Sequence, residues 1–136
     1  MCSVMWPARG WCSVSPAEDA QLLLAIVRRH LRTLRIGLNP EYPEEDWGFT
    51  AQQALEKLLK ASIVLADQPP PRTHDLGDLS RLAALQLEAS LLELQVYAVE
   101  ARYEDGPFPL PAPRETLLDA LEALLTRAEA GLPPTD

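Results

Sequence analysis

The chain has 136 residues, of which 47% are apolar, and a formal net charge of −8. One domain with a real hydrophobic core is expected, and disorder of the chain as a whole is excluded. The acidic balance repels nucleic-acid backbones over most of the surface, which excludes broad nonspecific DNA binding but leaves room for a local basic patch that takes a nucleotide or RNA.

Residues 1–14 have no hydrophobic period and hold Trp6, Trp11, Cys2 and Cys12. They are read as a flexible N-terminal tail. The two cysteines form neither a disulfide framework nor a zinc spacing, so reduced thiols are expected and no metal site is assigned. The longest apolar run, Leu22 to Val27, is far short of the ~18 residues a membrane span needs. No basic, apolar leader opens the chain. A cytoplasmic location without membrane contact is the expectation.

A helical bundle is predicted over residues 15–132. Ser15-Pro16-Ala17-Glu18 is a capping box with proline at the first helical position, and Leu23, Val27, Leu31 and Leu34 follow at helical spacing. Gly37 and Asn39-Pro40 stop this helix. Glu41 to Gly48 reads as an acidic loop. Thr50-Ala51-Gln52-Gln53 is a second capping box and predicts a helix from Thr50 up to the Pro69-Pro70-Pro71 run. Its apolar face is Ala51, Ala54, Leu55, Leu58, Ser62 and Leu65; its polar face is Gln53, Glu56, Lys57 and Lys60. A short helix is predicted near Asp75 to Leu85. After a break, a longer one runs from about Glu88 to Tyr103, with Leu92, Val96, Val99 and Tyr103 as its stripe. The last helix runs from about Pro113 to Ala130, with Leu117, Leu121, Leu124 and Ala128 on one face. No segment alternates with period two, so no strand is predicted. The fold class is all-α, an up-and-down bundle of four long helices plus one short helix.

Three segments carry a resemblance. Phe49 to Ala61, with Gln52-Gln53-Ala54-Leu55-Glu56-Lys57-Leu58-Leu59-Lys60 at its centre, resembles the signature helix of HEPN (higher eukaryotes and prokaryotes nucleotide-binding) proteins. Pro71-Arg72-Thr73-His74-Asp75-Leu76 is similar to that family's "tHdL" segment. Ala101-Arg102-Tyr103 followed by acidic residues is similar to its "RYP-(D/E)" segment, with Glu104 in place of the proline. The resemblance implies an up-and-down bundle that often forms homodimers and often works beside a nucleotidyltransferase of the MNT type, the two behaving as toxin and antitoxin. Toxic members cut RNA with an Arg-x4–6-His motif. Arg102 is the positional candidate for that arginine, but no histidine follows His74 in this chain. Arg72 and His74 are too close together to replace the motif.

The functional expectation is therefore a non-catalytic binding protein. It would bind a nucleotide, or dock a partner nucleotidyltransferase, and form a homodimer. The alternatives are an RNA-cleaving toxin with an atypical active site and a structural helical module. Candidate nucleotide- or partner-binding residues are Gln53, Lys57, Lys60, His74, Arg102 and Tyr103. Each has a plainer reading: a solvated helix face for Gln53 and the lysines, a turn histidine, a cation favouring the helix dipole for Arg102, and a packed ring for Tyr103. Arg28, Arg32 and Arg35 align on the first helix as a candidate basic docking face, otherwise a solvated stripe or one that pairs with the acidic residues Glu44, Glu45 and Asp46. His30, beside the apolar stripe, reads as a core-edge histidine.

Overall fold

The computed structural model describes residues 15–98 and 103–133, so the expected tail at 1–14 and the candidate Arg102 lie outside the described residues. Helices α1 (Pro16–Ile36), α2 (Glu44–Leu65), α3 (Leu76–Leu82) and α4 (Ala89–Leu92) are followed by a 3₁₀ segment (Glu93–Ala98) and α5 (Arg114–Ala130). There is no strand among the described residues. The all-α helical expectation is borne out.

The start of α1 forms as the sequence dictates. Ser15 Oγ accepts from the Glu18 amide at 3.2 Å and donates to the Glu18 carboxylate, with Pro16 opening the helix. Gly37 stops the helix as expected, without a left-handed backbone. Gly37 has φ −75°, a value open to any residue. What requires glycine there is space: an added Cβ would lie 2.7 Å from Trp47 Cδ1 and 3.1 Å from Tyr42 Cδ1.

α2 begins at Glu44, six residues before the expected Thr50. From Glu44 onward the expected acidic loop is in fact the start of this helix, and only residues 41–43 remain outside it. Pro43 precedes it, and Glu44, Glu45 and Asp46 place negative charge where the helix dipole is positive. Burial then fixes this turn. Trp47 and Gly48 are both buried, and the Trp47 indole Nε1 donates to Leu34 O at 3.0 Å. That carbonyl belongs to the last turn of α1, where carbonyls lack helical partners. Gly48 tolerates its mid-helix position because the Tyr97 ring lies against it, 2.6 Å from where a Cβ would stand.

Contacts at both ends set the helix directions. Trp47 near the start of α2 meets Leu34 near the end of α1, and Ala20 near the start of α1 packs with Val64 near the end of α2. The two helices are therefore antiparallel. Arg28 pairs with Glu129 at 2.8 Å and Arg35 with Glu122 at 2.6 Å, so α5 also runs antiparallel to α1. Both pairs are exposed, and each contributes ~0–1 kcal/mol. These arginines meet α5, rather than Glu44, Glu45 and Asp46.

The expected helix from about Glu88 to Tyr103 is, up to residue 98, one α turn and a 3₁₀ segment, and Tyr103 is again helical. The buried side chains up to residue 98 are Leu91, Leu94 and Tyr97. That spacing of three suits a 3₁₀ helix, in which residues i and i+3 eclipse. The expected stripe is not the buried one: Leu92 and Val96 are half-buried, and Tyr103 is 77% exposed.

Tyr97 then anchors the proline-rich segment that leads to α5. Its hydroxyl donates to Phe108 O at 2.6 Å. Burial, aided by the Glu44 and Glu45 carboxylates, pushes its pKa up to about 12 and keeps the donor proton in place. Glu44 accepts from the Leu110 amide at 3.0 Å and Glu45 from the Phe108 amide at 3.4 Å. Arg114 donates to the carbonyls of Gly37, Asn39 and Tyr42, tying the start of α5 to the α1–α2 connection. Tyr97→Phe is expected to cost about 1 kcal/mol, the usual net worth of one such bond. The check is a lower urea midpoint at unchanged m-value; an unchanged midpoint would mean that water replaces the hydroxyl.

Candidate functional site

The polar face of α2 is not a solvated face. Gln52 is fully buried and Glu56 is 4% exposed, and around them runs a chain of side-chain hydrogen bonds. Lys57 Nζ donates to Gln53 Oε1 at 3.0 Å, Gln53 Nε2 to Gln52 Oε1 at 2.7 Å, and Gln52 Nε2 to Glu56 Oε1 at 3.1 Å. The other carboxylate oxygen, Glu56 Oε2, accepts from Lys60 Nζ at 3.3 Å and lies 2.8 Å from His74 Nδ1. Helical geometry explains three of these bonds, since the pairs Gln52–Glu56, Gln53–Lys57 and Glu56–Lys60 are each four residues apart and so lie side by side; the adjacent pair Gln52–Gln53 links the two rows.

The His74 contact comes from the segment after α2. Asp75 caps α3, its Oδ1 accepting from the Asp78 amide at 2.8 Å. Thr73 Oγ1 accepts from the Asp75 amide at 3.1 Å, and the Leu76 amide donates to Gln95 Oε1 at 2.7 Å. These bonds hold the turn against the bundle and deliver the ring of His74, whose side chain is 70% exposed, to Glu56.

The electrostatics follow from burial and pairing. Burial opposes ionisation of Glu56, but hydrogen bonds from His74 and Gln52 and the Lys60 and His74 charges outweigh it and hold its pKa below the usual value. Burial also depresses the Lys57 pKa; the Glu56 charge resists this and the Lys60 charge adds to it. Lys57 meets the neutral amide of Gln53 and has no carboxylate at ion-pairing distance among the described residues. His30, half-buried on α1, has its pKa lowered by burial, then by the charges of Lys57 and Arg29. The fold thus brings both histidines of the chain near one face of α2.

Of the sequence candidates, Gln53, Lys57, Lys60 and His74 come together. Tyr103 stands at the surface, outside this hydrogen-bond chain. Arg28 and Arg35 are engaged by α5, whereas Arg32 is exposed on α1 between Leu22 and Ile36, which are 59% and 74% exposed. The residues that sequence reasoning left out of the site are Gln52 and Glu56, which hold the other side chains in place. Their signal was available as the i,i+4 spacing, but their burial depends on the distant His74 turn. Among the described residues no group of His, Cys, Asp and Glu could hold a metal ion, and no helix is long and apolar enough to cross a membrane.

The cluster can do two things chemically. A half-desolvated ammonium next to a second one can take an anion, and an exposed imidazole oriented by a buried carboxylate can exchange or transfer a group. In comparison with known proteins, the family model described as HEPN domain matches residues 20–130, a span that includes all of α2 and the His74 turn. No curated protein and no solved structure matches the chain.

Proposed function

The chain belongs to the HEPN domain family, and on that premise we propose that it is a non-catalytic binding protein that holds the phosphate groups of a nucleotide on the polar face of α2. The observation that carries this reading is Lys57. Its ammonium is partly desolvated, yet it is hydrogen-bonded to a neutral amide instead of a carboxylate. An anion at that position would relieve the cost of burying the charge. Lys60 and His74 supply two further groups that can donate to phosphate oxygens. The non-catalytic part of the reading is supported by the sequence, in which no histidine follows His74 to complete the family's Arg-x4–6-His motif.

Thermal melts across nucleosides and their mono-, di- and triphosphates test this. The phosphorylated forms are expected to raise the Tm and the free nucleosides to leave it unchanged. A single site contributes RT ln(1 + [L]/Kd), about 2.7 kcal/mol at a hundredfold excess over Kd. Lys57→Ala is expected to remove most of the shift while helicity is retained. If no phosphorylated form moves the wild-type Tm, nucleotide binding is wrong, and weight passes to partner docking through the exposed α1 face at Leu22, Arg32 and Ile36.

A further inference from the structure

His74 has the geometry of an oriented nucleophile. Its Nδ1 lies 2.8 Å from Glu56 Oε2. Glu56 is buried, its pKa is held low, and an ionised carboxylate can only accept, so the proton of this bond belongs to Nδ1. In a neutral imidazole the lone pair is then left on Nε2. No side chain or backbone group among the described residues binds Nε2, and the side chain is 70% exposed. Lys60 Nζ shares the same carboxylate oxygen at 3.3 Å, and Lys57 lies three residues back on the same helix.

We propose that Nε2 of His74 is a phosphoryl-acceptor site, modified by a small donor with a good leaving group, a phosphoramidate or an acyl phosphate. The Nε2 lone pair attacks phosphorus and the N–P bond forms. The bond from phosphorus to the donor nitrogen or oxygen breaks, and its electron pair leaves with ammonia or the carboxylate. The ring becomes an imidazolium, whose Nδ1–H stays on Glu56, so the buried carboxylate balances the charge created by the transfer. Lys60 and Lys57 neutralise the phosphoryl oxygens. The exposure of the ring is what favours an acceptor over a general base. A base needs a substrate held against it, whereas an acceptor must be reached from outside. The proposal does not depend on nucleotide binding, and a stoichiometric acceptor is compatible with a non-catalytic protein. His30 is an internal control, half-buried and with no carboxylate at hydrogen-bond distance among the described residues.

The test uses the full chain and potassium phosphoramidate, followed by intact mass and by site mapping at alkaline pH, where the N–P bond survives. The expected result is one phosphoryl group on His74. It should form about tenfold faster than on His30 and than on a synthetic peptide of residues 69–80, which lacks Glu56 and both lysines; tenfold corresponds to ~1.4 kcal/mol in the barrier. His74→Asn should abolish the label. Glu56→Gln and, separately, Lys60→Met should bring the rate down towards that of the peptide, and the second variant decides the matter if the first does not fold. Equal rates on the two histidines, a folded variant that keeps the full rate, or no label at all would overturn the assignment.

Discussion

Trp47→Ala is expected to remove about 4 kcal/mol of stability, a large share of the ~5–15 kcal/mol available to a domain. Trp47 is fully buried and is the largest such side chain. It closes the corner between α1 and α2 in two ways. Its ring fills the space that the missing Cβ of Gly37 leaves open, and its Nε1 satisfies the carbonyl of Leu34. Truncation therefore opens a cavity and strands a carbonyl at a helix end, and both effects destabilise. Trp47→Phe separates them, because it keeps most of the packing and loses the donor; the expected cost is about 1–3 kcal/mol. Urea unfolding followed by circular dichroism reads both variants without the signal of Trp6 and Trp11. If Trp47→Ala costs no more than Trp47→Phe, the ring's packing carries none of the stability and this account of the corner is wrong.

Local sequence signals showed most of the fold. The Ser15 cap, the Val27–Leu31–Leu34 stripe, the Ala51–Leu55–Leu58 face and the span of α5 are all written in patterns of three to eight residues, and the structure has each of them. What could not be read depends on residues distant in the chain. The first turn of α2 has no side-chain cap, and its local signals, Pro43 and the acidic Glu44, Glu45 and Asp46, fit a loop as well as a helix start. It is helical because Trp47 reaches back to α1 and because Gly48 makes room for Tyr97, 49 positions later. The Thr50-Ala51-Gln52-Gln53 pattern sits inside that helix, and there it marks no boundary. The 3₁₀ segment was hidden for a different reason. Leu91, Leu92, Leu94, Val96 and Tyr97 offer apolar residues at spacings of three and of four alike, and only packing against α2 selects the set at three. The site follows the same rule. Gln53, Lys57 and Lys60 were legible as a face, but Glu56 looked like one more surface carboxylate because the residue that makes it central, His74, is 18 positions away.

Replacing Glu56 by alanine is expected to produce the largest combined effect. Removing one partner of a buried ion pair costs ~3–5 kcal/mol. Here the lower end applies, since Lys60 and His74 both border on water and can be resolvated. The buried Gln52 Nε2 would lose its acceptor as well. Glu56→Gln keeps the volume and the acceptor for His74 and should cost less. It also allows the pH dependence to be assigned. The pKa of Glu56 in the folded chain is below its ordinary value of 4.5. In that window the unfolded chain therefore binds more protons, and stability is full above 4.5 and lost as pH falls through the lower folded value. His30 has the same sign in a higher window. Its pKa is lowered from 6.5, so protonation favours the unfolded chain and stability declines as pH falls below 6.5 towards the folded value. Wild-type protein should accordingly lose stability in two steps on acidification. His30→Asn should flatten the upper step and leave the lower one, and Glu56→Gln should do the reverse. Urea midpoints from pH 7.5 down to the acid transition measure both. A Glu56→Gln profile parallel to wild type below 4.5 would mean that the carboxylate is not held ionised by its partners. The fixed Nδ1 proton on His74, on which the phosphoryl-acceptor assignment stands, would then lose its basis.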